Sequence, residues 1–173
     1  MTKKAFIMPV ILIMLVFTLS AALVEKKDTK TKILEACEVF FNPNASLTQD
    51  NMVDSLSRLL DITASITTAY EYKDEIKYRI DVAKNLLKED SLFNEKARQY
   101  LSFAYRMMTN GQKYQKPEEL DVFVTPAEAQ EKAMKYAKNL VEKALSDLEE
   151  DNPGETAKLL LELVLMVVTP IEG

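Results

Sequence analysis

The sequence predicts an all-α fold: a single-domain, antiparallel helical bundle of five to six helices that follows an N-terminal signal or anchor segment. Two observations predict it. Apolar residues recur every three or four positions along most of the chain, which is the spacing of a helix with one buried face. Glycine occurs only at positions 111, 154 and 173, and with the prolines it divides the chain into segments of ordinary helix length.

The segment before the bundle is uncharged over residues 5–24 and follows two lysines. A basic start, an apolar centre and small residues before the cut, here Ser20-Ala21-Ala22, are typical of a secretory signal peptide. We therefore expect residues 1–22 to be a cleaved signal peptide. Residues 23–173 would then form an exported domain, periplasmic or extracellular.

The alternative for this segment is an uncleaved membrane anchor that extends to about residue 24. Twenty uncharged residues at 1.5 Å each can cross a hydrocarbon core of about 30 Å. Positive charge after such a segment favours the cytoplasmic side, so an anchored domain could be exported or cytoplasmic. In each case the membrane is reached only through this segment. The lysines that follow it are Lys26, Lys27, Lys30 and Lys32.

The composition fits one acidic domain. The about 151 residues after the signal segment can bury a core of their own. The whole chain carries 22 basic and 27 acidic residues, a net charge of −5, and loss of Lys3 and Lys4 would take it to −7. Because a negative surface repels phosphate backbones, we expect no nucleic-acid ligand.

Two helices are predicted before residue 70. The first ends at Asn42-Pro43, because proline cannot continue a helix. The second begins with a capping box of Ser46 and Gln49. The buried face of the first consists of Ile33, Leu34, Cys37, Phe40 and Phe41. The buried face of the second consists of Met52, Leu56, Leu59, Thr63, Ile66 and Tyr70, with Val53 and Leu60 beside them.

A kink or short break is predicted at residues 70–74, where lysines occupy the continuing stripe and a new one starts. The third helix buries Tyr72, Ile76, Ile80, Ala83 and Leu87. Ser91 or Asn94 caps the fourth, and Asn110-Gly111 ends it in the left-handed conformation. The fourth helix buries Phe93, Ala97, Tyr100, Leu101, Ala104 and Met108.

The longest connection without helical spacing is residues 112–124, which include the extended apolar piece Val122-Phe123-Val124. Thr125-Pro126-Ala127-Glu128 then has the cap, the proline and the glutamate of a helix start. The fifth helix buries Ala133, Ala137, Leu140, Ala144 and Leu148, and a turn at residues 152–155 leads into the sixth, which ends at Thr169-Pro170.

The sixth helix is apolar on all sides, with one charge in the ten residues 159–168. At about 15 Å this segment is too short to span a bilayer. It is therefore a central core helix, a surface for a partner or a second copy, or a membrane-surface contact. The candidate interface residues are Leu159, Leu163, Met166 and Val167, together with Phe123 in the preceding connection.

The chain lacks the residues that most catalytic mechanisms need. The chain contains no histidine, so histidine-assisted nucleophiles and most transition-metal sites cannot form. Its three glycines provide no phosphate-binding loop. The acidic residues around the turn at 149–155 do not have calcium-loop spacing, and Met107 and Met108 point about 100° apart. We expect no enzyme, no metal and no cofactor.

Two residue types leave alternatives open. Cys37, the only cysteine, falls on a helical stripe and is predicted to be a buried thiol, with intermolecular pairing as the alternative.

Tyrosine suits half-buried positions and binding surfaces alike. If the bundle encloses a pocket, the tyrosines expected to line it are Tyr70, Tyr72, Tyr100 and Tyr105.

These observations favour a non-enzymatic interaction protein of the cell envelope, acting as an adaptor or chaperone-like module through a protein partner or self-association. The alternative is a bundle that binds a small ligand in an apolar or aromatic pocket. Both inferences rest on the class of protein, because a fold does not establish a function.

Overall fold

The protein is all-helical over the residues that its computed structural model describes. These are residues 7–42, 48–117, 120 and 127–170, with only the backbone described at 7–21 and 127–130. They contain seven α-helices and one 3-10 turn, and no β-strand. The elements are α1 Ile7–Ala36, α2 Glu38–Phe41, α3 Gln49–Ser65, the 3-10 turn Thr67–Ala69, α4 Lys73–Glu89, α5 Glu95–Met108, α6 Ala127–Glu149 and α7 Pro153–Val168.

Helix α7 is the centre of the core. Twelve of its sixteen residues are buried, and it packs against α3, α5, α6 and the 3-10 turn. Asn152 caps it by accepting a hydrogen bond from the Glu155 N–H at 3.3 Å, and Pro153 takes the first position. A helix that is apolar on all sides must be surrounded, and here the chain itself surrounds it.

Helix α1 continues without a break into the domain. Together with α2 it reaches Phe41, where the sequence predicts the first helix to end. Of the predicted buried face, Ile33, Cys37 and Phe40 are buried. The prediction was wrong at Leu34 and Phe41, which are 45% and 37% exposed.

The Ser55 hydroxyl donates a hydrogen bond to the Ala36 carbonyl, which fixes the end of α1 against α3. Residues 1–6 and the side chains of 7–21, where the signal or anchor is predicted, lie outside the described residues. Within the described part, no helix meets the length and hydropathy needed to span a bilayer.

Helix α3 differs from its prediction at both ends. Thr48 is the N-cap and accepts a hydrogen bond from the Asn51 N–H at 3.3 Å, whereas Ser46 of the predicted box lies outside the described residues. The helix ends at Ser65, earlier than predicted. The Ser65 hydroxyl bonds the Ile62 carbonyl at 2.7 Å, an example of the local bonds with which serine competes against helix continuation. Ile66 and Tyr70 therefore lie in the break.

The hairpin of α4 and α5 follows the predicted periodicity inside each helix. Asn94 is the cap of α5, accepting from the Ala97 N–H at 2.8 Å, and Asn110 and Gly111 have the predicted positive φ, 53° and 95°. The prediction was wrong at Tyr72 and Phe93. Both lie just before a helix and are exposed, because the stripe applies only where the backbone is helical.

Helix α6 buries the five predicted residues and also Val141. It ends with Asp151 in the left-handed conformation at φ 61°, where the Asn152 N–H reaches the Asp147 carbonyl at 2.8 Å. This short turn brings α6 and α7 together as neighbours. The predicted cap at 125–126 and the side chains of 127–128 lie outside the described residues, as does the extended piece at 122–124.

Candidate functional site

The interface predicted on the sixth helix is covered by the chain itself. Leu159 is 4% exposed, and Leu163, Met166 and Val167 are fully buried. These four side chains pack in the core because α3, α5 and α6 all lie against α7. A partner cannot contact them while the domain is folded. Phe123, the fifth predicted interface residue, lies outside the described residues.

The four tyrosines predicted to line a pocket have separate environments. The Tyr70 hydroxyl donates a hydrogen bond to the Gly154 carbonyl at 2.7 Å, and burial raises its pKa to about 12. Tyr72 is 59% exposed at the start of α4. Tyr100 is half-buried on α5, and Tyr105 packs edge-on against Tyr114 with ring centroids 5.9 Å apart.

A tyrosine cluster that the sequence does not reveal surrounds Glu162, the one charge in the apolar part of α7. The Tyr136 hydroxyl donates to Glu162 Oε1 at 2.7 Å. Tyr105 and Tyr114 lie close enough for the carboxylate to act on them, and burial, then negative charge, raises the pKa of all three hydroxyls. Of the three hydroxyls, that of Tyr136 is the one that donates a hydrogen bond to the carboxylate among the described contacts, and that of Tyr114 is buried without a hydrogen-bond partner.

The acidic turn after α6 is joined to α1 by two ion pairs. Lys26 pairs with Asp151, and Lys30 pairs with Glu149. The hydrogen bond from Lys30 lowers the pKa of Glu149. Among the described residues, no three potential ligand side chains are grouped closely enough for a metal ion. The turn therefore serves to position α1 on α6.

A different surface, on the outer face of α5, combines an exposed ring with positive charge. Phe103 is 49% exposed, and its ring is contacted by two guanidinium groups, that of Arg79 at 5.2 Å and that of Arg106 at 5.7 Å from the ring centroid. Single exposed apolar side chains are common on proteins, whereas this position combines an aromatic ring with arginines, two residue types that are enriched in protein interfaces.

Beside Phe103 there is a shallow cleft of about 130 Å³. Arg98, Ser102 and Arg106 are four residues apart and therefore follow one line along the helix. We name the arginine–phenylalanine patch by its six members, Arg79, Arg98, Gln99, Ser102, Phe103 and Arg106.

The arginines differ in their ion pairing. Arg58 pairs with Asp54 at 2.9 Å, and Arg79 pairs with Glu75 at 2.6 Å. Arg98 and Arg106 form no ion pair with any residue that the structure describes. Two guanidinium groups on one face of α5 are thus available to an external acid.

Two wider clefts, of about 260 and 340 Å³, lie between α3 and the end of α1. Both are lined by Glu35 and Arg58, and each contains acids as well as bases. The larger cleft is lined by two acids and two bases, whereas the smaller has three acids, Glu35, Glu38 and Asp54, against Arg58. Neither cleft therefore carries an excess of positive charge, unlike the patch on α5.

Buried stripes do not predict the patch, because Phe103 lies off the stripe of α5. The spacing of Arg98, Ser102 and Arg106 was visible in the sequence, but only the packing of α4 on α5 brings Arg79 to Phe103.

No protein-family model matches the chain, and neither the curated proteins nor the solved structures include a significant match to it.

Proposed function

We propose that this protein is a non-enzymatic interaction protein of the cell envelope, an adaptor or chaperone-like module, and that it binds a protein partner through the arginine–phenylalanine patch. The observation that carries the proposal is Phe103, half exposed and contacted by the guanidinium groups of Arg79 and Arg106. Aromatic residues and arginine are enriched in protein interfaces, and they dominate hot spots.

The burial of α7 supports this choice of surface. Because the most apolar helix is enclosed within one chain, association has to use side chains that remain outside. Phe103 is an exposed apolar residue of the described part whose ring is contacted by two guanidinium groups. A partner that covered the ring would bury apolar area, which favours binding, and would strengthen the cation–π contacts by excluding water from them. The guanidinium groups would need acceptors on the partner to replace the water that they lose.

The proposed location is outside the cytoplasm. The features that support it are in the sequence: two lysines, an uncharged stretch and small residues at 20–22. Residues 23–173 would form an exported antiparallel bundle, either free after cleavage or held at the membrane by residues up to about 24. A helix α1 that continues from Ile7 into the domain is compatible with both arrangements.

The test is cross-linking of the tagged protein in its native envelope, followed by stringent purification and mass spectrometry. We expect one stoichiometric partner with the natural chain and its loss with Phe103→Ala. Phe41→Ala is the matched control, since Phe41 is 37% exposed on α2, away from the patch. Equal recovery of the partner with both variants would contradict the assigned surface, and recovery of the monomer alone would favour the ligand-binding alternative.

A further inference from the structure

We infer that the partner segment recognised by the arginine–phenylalanine patch is an acidic peptide, whose carboxylates bind Arg98 and Arg106 while an apolar side chain between them packs on Phe103. This inference rests on the proposed function. It adds the chemical class of the partner.

The first argument is charge. Helix α5 carries Lys96, Arg98 and Arg106 against a single acid, Glu95, in a chain whose net charge is −5. Glu95 accepts a hydrogen bond from Gln99 at 3.2 Å. The outer face of α5 is therefore a positive region on an acidic protein, and it attracts negatively charged segments while the rest of the surface repels them.

The second argument is the spacing of the cations. Arg98 and Arg106 are eight residues apart, about 12 Å along the helix axis. Phe103 lies between them in the chain, with Gln99 and Ser102 in the same cleft. Two carboxylates four residues apart on an extended peptide, about 13 Å, or two helical turns apart on a helix, about 11 Å, match this spacing. On the extended peptide the residue midway between them faces the same side and can meet the ring.

The third argument is the nature of the ligand group. A guanidinium presents paired N–H donors that match a carboxylate, so each contact is a charge-assisted hydrogen bond with defined geometry. The cleft of about 130 Å³ has room for a carboxylate end with bound water, since a water takes about 30 Å³ in the liquid. The amide of Gln99 and the hydroxyl of Ser102 can bond the peptide backbone.

Anionic lipid is the other negatively charged surface in an envelope, and the fold disfavours it as the ligand. The patch lies on α5, which packs on α4 and α7, whereas α1, which leads from the predicted membrane segment, packs on α2, α3 and α6. Each basic side chain contributes separately to the attraction by an anionic lipid surface, so the three basic side chains of α5 supply only a weak attraction.

The experiment is selection of a random-peptide library on the full-length natural protein and on the double variant Arg98→Gln/Arg106→Gln. We expect the natural protein to enrich peptides with Asp or Glu on both sides of an apolar residue, and the double variant to lose that enrichment. In fluorescence anisotropy, an enriched peptide should bind each single variant about tenfold more weakly, the loss of one charge-assisted hydrogen bond. Arg58→Gln, which changes an arginine on α3, should leave binding unchanged.

Three outcomes would overturn the inference. The natural protein could enrich peptides that contain no acids, it could enrich acidic peptides that bind the double variant equally well, or it could enrich no peptide more strongly than the double variant does. The patch would instead be assigned to lipid if the natural protein bound vesicles containing phosphatidylserine, the double variant did not, and no acidic peptide bound. If Phe103→Ala loses the envelope partner while the double variant keeps it, the proposed function stands and the acidic peptide does not. Thermal denaturation of each variant checks that it is folded.

Discussion

The Tyr70 hydroxyl donates a 2.7 Å hydrogen bond to the backbone carbonyl of Gly154, and so joins the break between α3 and α4 to the first turn of α7. A side chain at position 154 would crowd this contact, since a Cβ there would lie 3.3 Å from the Ala69 Cβ. The close approach lets the central helix start directly against the 3-10 turn. Two segments that are 84 residues apart in sequence are thereby fixed to each other.

Tyr70→Phe should lower the free energy of unfolding by about 1 kcal/mol, because the ring stays in place while the Gly154 carbonyl loses its donor. Urea denaturation measures this directly. Tyr72→Phe is the matched control, since Tyr72 is exposed two residues away and should not change the midpoint. An unchanged midpoint for Tyr70→Phe would mean that water replaces the hydroxyl without cost.

Leu163→Ala should lower the free energy of unfolding by about 2–5 kcal/mol, because a fully buried leucine leaves a cavity in the centre of the fold. Leu163→Asp should prevent folding altogether, since it places a carboxylate there without a partner. Leu34→Ala, at a leucine that is 45% exposed on α1, should change stability by about 0.5 kcal/mol or less. A folded Leu163→Asp protein with lost association would instead make α7 an interface.

Cys37 should be unreactive in the native protein. Its thiol is fully buried, and burial raises its pKa from 9.0 to about 12, so little thiolate forms at neutral pH. Labelling with a thiol reagent should be slow in native buffer and complete in denaturant. Rapid native labelling, or a disulfide-linked dimer under oxidising conditions, would support the intermolecular alternative.

Stability should fall as the pH rises above 9. The folded state holds the pKa of Cys37 and of Tyr70 at about 12, above their ordinary values of 9.0 and 10.0, and also raises that of Tyr136. The unfolded chain then releases protons that the native state keeps. This contribution is therefore complete below pH 9 and is lost progressively toward pH 12.

The measurement is the thermal unfolding midpoint as a function of pH. Tyr136→Phe should reduce the alkaline slope, because it removes a hydroxyl that the folded state keeps protonated beside Glu162. Tyr78→Phe, at an exposed position on α4, should leave the slope as it is. A midpoint that does not change between pH 9 and pH 12 would refute the assignment of these buried protonated groups.

Most of the helices and their inward faces follow from local sequence patterns. Apolar spacing placed Ile76, Ile80 and Ala83 inside α4, and the Asn152-Pro153 start of α7 was predicted, whereas its all-round apolar character left open whether it was a core helix or a surface. These features depend on neighbours within about one or two turns, so periodicity and capping residues are enough to predict them. The same local rule was wrong at Tyr72 and Phe93, outside the helical backbone, and at Leu34 and Phe41, which lie in helices but are exposed.

The packing of the helices against one another sets which surface remains available and how the charges are arranged. The arginine–phenylalanine patch needs Arg79 of α4 beside Phe103 of α5, and Lys30 meets Glu149 across 119 residues of sequence. Such contacts depend on how the helices pack against each other. Periodicity fixes which face of a helix is buried, but it does not fix which side chains of different helices become neighbours.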